Sequence, residues 1–495
     1  MFKKILIANR SEIAVRIIRA CHEMNIEAVA VYSDADRNAL HVRMADEAYY
    51  LGMPQPSESY LHMDKIIAIA RSCSADALHP GYGFLAENTA FAKRISDSGI
   101  TFIGPSPESV KAMGDKIRAR RLAKSAGVTI VPGTIDPLPD VGAAKKAARE
   151  IGYPVMIKAV SGGGGKGMRL VEEESHMASA FERASSEALS AFGDGSLYLE
   201  KLIRNPRHIE FQILGDRHGN LIHLNERDCS IQRKHQKLIE ESPSPVMTPE
   251  KRAKFGAMAV SAAKAAGYYN AGTIEFIMDE RGEMYFMEMN TRLQVEHPVT
   301  ELVTGIDIVK EQMRIANGDK LGLTQADIGL SGCALECRIV AEDPASDFAP
   351  TPGTIQFLRE PQGAGVRVDS GIYEGFEVPG WYDSLVAKLQ TYGKDRQEAV
   401  ARMQRALSEY RIIGISTTIP LYRWLLGHKR FLGGDITTGF LEQEIGGFTA
   451  DASQLWVMAA IAGGLTSIGS NGNTDPGRAP DTSRWKTAGR VRSLR

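Results

Sequence analysis

The chain has 495 residues, enough for about three domains at roughly 100–200 residues each. Its 59 Lys+Arg against 60 Asp+Glu leave a net charge of −1, which excludes a chain-wide basic field for nucleic acid or an anionic membrane. With 43% hydrophobic and 24% charged residues, wholesale disorder is excluded too.

The N-terminus opens on an apolar strand, Lys3–Ala8, without the tripartite form of a signal peptide. Ile13–Met24 has helical spacing, and Ala28–Tyr32 is again a strand. This β-α-β unit implies a parallel sheet. The turn is Asn9-Arg10-Ser11-Glu12, so the dinucleotide fingerprint G-x-G-x-x-G is missing. Further strand signals at Ala77–Leu78 and Thr101–Ile103 close a first domain near residue 113. Between them His79–Asn88 is a Pro/Gly turn opening a helix, with Tyr82 either displayed or simply packed.

Lys116–Ala126 reads as a helix, Val128–Val131 as a strand, Val141–Ile151 as a helix and Pro154–Val160 as a strand. Residues 132 to about 203 form a candidate hinged lobe. Ser161–Gly167 holds five glycines in Ser-Gly-Gly-Gly-Gly-Lys-Gly. Without Cβ atoms such a backbone can approach a phosphate and point N–H groups at it. A Walker A reading fails, since no Gly-Lys is followed by Ser or Thr. The next segment, Met168–Val171, looks like a strand, so the expectation is strand, glycine loop, strand: a flap over a nucleotide. Lys158 on the preceding strand is within reach of the same phosphates.

Glu226–Lys237 is dense in mixed charge and, taken alone, reads as a solvated loop. Cys229 within it reads as a small packed residue rather than a nucleophile. Ile274–Met278 and Glu283–Met289 alternate around Asp-Glu-Arg-Gly, a hairpin. With Met278 paired to Glu283, Glu275 lies opposite Phe286 and Glu288 is its diagonal neighbour. Glu275, Glu288 and Asn290 then offer hard oxygen ligands for Mg²⁺ or Mn²⁺. If the chain stays extended, Glu288, Asn290, Arg292, Gln294 and Glu296 form one polar stripe. Arg292 supplies a planar fork for a carboxylate or bicarbonate, and Glu296 a general base.

Towards the C-terminus, Trp456–Leu465 is the longest apolar run, too short for a membrane span and interrupted by Gly463 and Gly464. Ser467–Ser483 reads as a flexible linker and Trp485–Arg495 as a short basic segment. The five cysteines are odd in number and never spaced C-x-x-C, which fits a reducing cytoplasm.

Together these segments resemble biotin carboxylase, the ATP-grasp component of biotin-dependent carboxylases. The resemblance rests on Lys3–Ala20, His79–Asn88, Met113–Lys116, Ser161–Arg169, Glu226–Lys237, Glu288–Glu301 and Arg338 in Leu-Glu-Cys-Arg-Ile, and runs to about residue 445. Lys166 stands where relatives often carry Arg. The resemblance implies an α/β and α+β chain: an N-terminal Rossmann-like domain (1–113), an ATP-grasp domain (114–330) with a mobile glycine-loop lid at about 132–203, a C-terminal mixed domain (331–445) and a tail (446–495). It implies ATP contacts from Lys116, Lys158, Gly164, Gly165, Glu200, Lys201, Leu202, Ile203, His208, Gln232, His235, Glu275 and Glu288. Metal would sit on Glu275, Glu288 and Asn290. Bicarbonate would be held by Lys237, Arg292, Gln294 and Val295, with Glu296 as base. Arg338 and Tyr82 would face biotin. The implied substrates and cofactors are ATP, Mg²⁺ or Mn²⁺, and biotin carried on a separate chain. No Ala/Val-Met-Lys-Met biotinylation sequence occurs, so the biotin carboxyl carrier protein and the carboxyltransferase are expected as separate chains, serving acetyl-CoA, propionyl-CoA or pyruvate. A homodimer follows from the resemblance. The alternative reading is another ATP-grasp carboxylate-activating ligase.

Overall fold

The computed structural model describes residues 1–161 and 167–449; the glycine-loop positions Gly164 and Gly165 and the tail beyond lie outside the described residues. Strands β1 (Lys4–Ile7), β2 (Glu27–Ser33), β3 (Glu47–Gly52), β4 (Ala77–His79) and β5 (Thr101–Phe102) form a parallel sheet in the order β3-β2-β1-β4-β5. The apolar run of β1 is buried on both faces, as a central parallel strand requires. The helix Ser11–Glu23 covers one face. His79–Asn88 leads into the helix Thr89–Asp97, whose N-cap Asn88 accepts a hydrogen bond from the Phe91 amide.

Strands β6 (Val155–Ala159), β7 (Met168–Val171) and β8 (Leu197–Lys201) form a separate three-stranded sheet in the order β7-β6-β8, backed by the helices Val141–Ile151 and Met177–Phe192. The strand expected at Val128–Val131 is instead a single bridge, Ile130 to Phe286. Pro132 follows it and has no N–H to extend a ladder, though its carbonyl accepts from the Lys201 amide at 2.7 Å.

The rest of the site stands on an eight-stranded antiparallel sheet, β13-β12-β9-β10-β11-β14-β16-β15. Its strands are β9 (Arg207–Gly215), β10 (Leu221–Arg233), β11 (Gln236–Ser242), β12 (Asn270–Met278), β13 (Met284–Asn290), β14 (Cys333–Val340), β15 (Val366–Ser370) and β16 (Leu385–Gly393). Glu226–Lys237, read from sequence as a solvated loop, supplies β10 and the start of β11 near its centre. Glu226, Arg227, Asp228 and Ser230 are fully buried. Buried charge is tolerated there because each group meets a partner distant in sequence: Arg227 with Glu210, Glu226 with Arg252, Asp228 with Arg207. The two strands join through Lys234 and His235, both at positive φ (48° and 67°), the two-residue turn that matches strand twist.

Candidate active site

A cavity of about 950 Å³ is lined by Tyr82 on the loop after β4, by Lys158, Glu200, Leu202 and Ile203 at the lobe, and by the large sheet. Its geometry begins with a register irregularity. On β12 the odd positions Glu275 and Ile277 line the cavity, while Ile274, Phe276 and Met278 pack in the core with Phe211. On β13, Met284 and Phe286 lie in that same core, opposite Met278 and Phe276. Strict alternation would bury Glu288 there too. A β-bulge between the Phe276–Phe286 and Glu275–Glu288 pairs makes Met287 the extra residue, so both Met287 and Glu288 reach the cavity. The expected register therefore needs two corrections: Met278 pairs with Met284 rather than Glu283, and Glu275 faces Glu288 directly rather than Phe286.

The polar stripe is also shorter than the alternation suggested. β13 ends at Asn290, and a turn at Val295 delivers Glu296 to the N-cap of the helix His297–Thr304, with Pro298 tolerated in its first turn. Glu288, Asn290, Arg292, Gln294 and Val295 line the cavity. Glu296 lies buried behind them, joined to Lys237 Nζ at 2.7 Å and to Arg338 Nη2 at 2.9 Å. Burial pushes the Glu296 carboxyl up, but Lys237 and Arg338 outweigh it and hold it below the usual range, so it is ionised at neutral pH.

Lys237 is the hub. Its ammonium lies 2.5 Å from Glu210, 2.9 Å from Glu275 and 2.7 Å from Glu296. Two close clusters of candidate metal ligands, His208–Glu210–Glu275 and Glu210–Cys229–Glu296, surround this ammonium, which already supplies their positive charge. Cys229 is fully buried, its thiol pushed well up by burial, in keeping with a packed residue. The Glu275–Glu288 pair is different. Burial and the charge of Glu275 both push Glu288 up, and Asn290 bonds to Glu275 at 2.7 Å. Two facing carboxylates and an amide are a hard donor set that a divalent cation would relieve, so these residues fit Mg²⁺ or Mn²⁺.

His208 is buried against Glu275 at 3.1 Å, with Gln232 Nε2 2.8 Å from its Nδ1. Burial lowers its pKa, but Glu275 overcomes this and raises it to about 9. Lys116 opens the helix Lys116–Ser125, next to the N-cap Asp115, and faces the cavity. Lys158 pairs with Glu200 at 2.5 Å, and Arg120 grips the other oxygen of Glu200. The ammonium of Lys201 is taken by the carbonyls of Gly152 and Tyr153 (2.8 and 3.0 Å). Only the rest of that residue is left to line the cavity. His235 is exposed on its turn at the cavity's edge. Tyr82 is partly buried in the cavity wall, on a loop clamped by Asn9, whose amide donates to the carbonyls of Pro80 and Tyr82. Gly81 must be glycine there: its φ is +62° and a Cβ would meet Asn9 Nδ2 at 2.9 Å.

Several groups escaped the sequence reading. Glu87 accepts from Arg292 Nε at 2.9 Å and from the Thr291 amide at 3.0 Å. Glu240 holds Arg338 Nε at 2.6 Å. Glu210 and Arg227 anchor Lys237 from below. Glu87 lies within the motif His79–Asn88, but nothing local marked it, Glu240 or Glu210 as a support.

Comparison with known proteins places this arrangement. Residues 1–110 match the biotin carboxylase N-terminal domain, 115–324 the ATP-binding domain of the carbamoyl-phosphate synthase large chain, and 336–443 the biotin carboxylase C-terminal domain. Fold and site therefore define an ATP-grasp protein of mixed α/β architecture. The chain is 54% identical over 455 residues to a pyruvate carboxylase subunit of Methanothermobacter thermautotrophicus, covering 92% of each chain. It is 54% identical to biotin carboxylase 1 of Bacillus subtilis, covering 89% of this chain and 98% of that one. The crystal structure of the biotin carboxylase domain dimer of Hydrogenobacter thermophilus 2-oxoglutarate carboxylase, in complex with MgADP, ADP and bicarbonate, matches with a TM-score of 0.87. It is 52% identical, over 90% of this chain and 98% of that one. The chain belongs to the biotin carboxylase family.

Proposed function

We propose that this chain uses ATP and bicarbonate to carboxylate biotin presented on a separate carrier chain, giving carboxybiotin, ADP and phosphate. The observation that carries the reading is the buried, ionised Glu296 held between Lys237 and Arg338, beside a cavity that also presents Lys116, Lys158 and the facing pair Glu275–Glu288.

Bicarbonate is a poor electrophile and must be activated. Arg292 offers two guanidinium edges, and with Gln294 and the Val295 backbone it holds the anion within reach of Glu296. Glu296 takes its proton. The resulting dianion attacks the γ-phosphate of ATP, whose charge Lys116 and Lys158 neutralise, and ADP leaves. A divalent cation on Glu275, Glu288 and Asn290, when bound, screens the phosphate charge. The carboxyphosphate formed splits to CO₂ and phosphate. Phosphate takes the N1′ proton of biotin, Arg338 stabilises the enolate oxygen, Tyr82 lines that pocket, and N1′ attacks CO₂. Water would destroy the intermediate, so we assign the lobe at residues 132–203 the role of a lid. His208, His235, Gln232 and Glu200–Ile203 complete the nucleotide pocket in this reading.

We further propose domains at 1–113, 114–330 and 331–445, a homodimer, a cytoplasmic setting, and carrier and transferase on other chains. Among the described residues no helix is long and apolar enough to cross a membrane. The relatives are named for different acceptors, pyruvate and 2-oxoglutarate among them, on a shared carboxylase chain. This supports the reading that acceptor choice lies with the transferase rather than with this chain. The test is ATP-dependent transfer of labelled bicarbonate into acid-labile carboxybiotin, which the wild type should support. Label appearing on an amine or carboxylate substrate, and none on biotin or its carrier, would overturn the reading.

A further inference from the structure

The large sheet buries a second cation beside Arg338. Lys388 lies in mid β16 directly opposite Arg338 on β14, and its neighbour across β15 is Asp369. Two like charges facing each other across a ladder are unfavourable, and a wholly buried lysine carries a desolvation cost besides. An apolar side chain would serve packing better, as the odd positions Ala387 and Leu389 do on the other face. The neighbours of Lys388 show what the cation is placed to hold. Its ammonium donates to the Val295 carbonyl at 3.0 Å. It faces Glu12, next to the first residue of the helix Ser11–Glu23, at 3.2 Å, and Asp369 at 3.9 Å. It also lies 5.9 Å from the ring centre of Tyr82. Arg338, meanwhile, holds the side chain of Glu296. Adjacent cations on adjacent strands thus grip adjacent residues, 295 and 296, of the turn where the stripe leaves β13 and enters a helix.

We propose that Lys388 is a positioning residue for the bicarbonate turn: through the Val295 carbonyl, and braced by Glu12, it fixes Gln294, Val295 and Glu296 relative to Arg338. It touches no reacting atom; it acts through the backbone that does. The inference rests on the assignment of that turn to bicarbonate.

The test uses the full chain with Mg²⁺, measuring the KM for bicarbonate and for ATP, kcat, and the thermal midpoint. The variant Lys388→Met combined with Glu12→Gln removes both charges of the pair, so that neither is left as a lone buried ion. It is expected to raise the bicarbonate KM at least about tenfold, with the ATP KM within about twofold. Lys388→Arg keeps the charge facing Glu12 and Asp369 and keeps N–H donors for the Val295 carbonyl. It should restore most of the bicarbonate KM lost in the double variant, and Lys388→Met alone carries the test if the double variant does not fold. A bicarbonate KM unchanged in the folded Met variant, or one that rises only in step with the ATP KM, would overturn the proposal. Wild-type protein assayed in parallel separates this from the larger reading: if it shows no bicarbonate-dependent turnover, the functional assignment fails and the inference falls with it.

Discussion

The eight-stranded sheet and the three-stranded lobe have opposite interiors. The sheet buries ions: Glu210, Arg227, Glu240, Glu296, Glu336 and Lys388 are all essentially inaccessible to solvent. Half of the lobe's buried core is alanine, Ala144, Ala148, Ala159, Ala180, Ala184 and Ala188, beside Val155, Ile157, Val171, Met177, Leu197 and Leu199. Among its described residues the one buried charged side chain is Glu200, at the cavity edge. A buried ionic lattice is costly to assemble and strongly destabilised by removal of one member, so it holds its geometry closely. A core of small side chains contributes less burial per residue and ties the lobe down less. In the proposed mechanism the proton chemistry sits on the first kind of interior, and the lid with Lys158 and Glu200 on the second. A site that must hold a base in register and still admit ATP needs both.

That contrast can be broken most severely at Glu296 and Arg338. Glu296→Gln or Arg338→Gln should lower biotin-dependent turnover by about 10²–10⁴-fold, the usual worth of a positioned acid–base or charge-stabilising group, while ATP affinity measured by calorimetry stays within about threefold. Glu288→Gln should separate function from stability. Removing the like-charge contact with Glu275 should raise the thermal midpoint in chelator, yet raise the Mg²⁺ requirement of turnover at least about tenfold.

Acid should distinguish the regions next. Burial raises the carboxyls of Glu210 and Asp369, but Lys237 and Arg227 at the first, and Arg367 and Lys388 at the second, outweigh it and hold both well below the usual carboxylate range. Their contribution is present above the unfolded-state value, about 4, and is lost as pH falls below it. Hydrogen exchange at pH 3 should therefore show the large sheet losing protection relative to pH 7 by a greater factor than β6–β8. Equal loss in both would erase the comparison. The smallest expected effect is Gly167→Ala. Gly167 has φ +71°, and a Cβ there would meet that of Ala159 at 2.7 Å. The substitution should cost about 1–3 kcal/mol, confined to the lobe. It should raise the ATP KM a few-fold and leave the bicarbonate KM unchanged in steady-state assays.

Much of this was legible in the chain itself. The opening β-α-β unit and the helix Val141–Ile151 follow from apolar spacing, which local burial obeys; the strand Met168–Val171 was legible too, although only Val171 in it is buried and Leu170 is exposed. The hairpin and the residues of its acidic pair were legible, but their register was not. A bulge is set by how Phe276 and Phe286 pack with Phe211, which alternation alone does not encode. Glu226–Lys237 looked like surface because its compensating partners, Arg207, Glu210 and Arg252, lie elsewhere in sequence. Motifs brought Arg292, Glu296 and Arg338 forward. Of their supports, Glu240 and Lys388 stayed hidden because a buried ion pair has no local period, and the exposed Glu87 because its partner Arg292 lies far along the chain.

The most direct measurement is ATP hydrolysis by the full chain with Mg²⁺ and bicarbonate, with and without free biotin and then with a biotinylated carrier chain. The account predicts turnover that biotin, free or carrier-borne, strongly stimulates and that Glu296→Gln lowers by at least about a hundredfold. Turnover indifferent to biotin in both forms would contradict it.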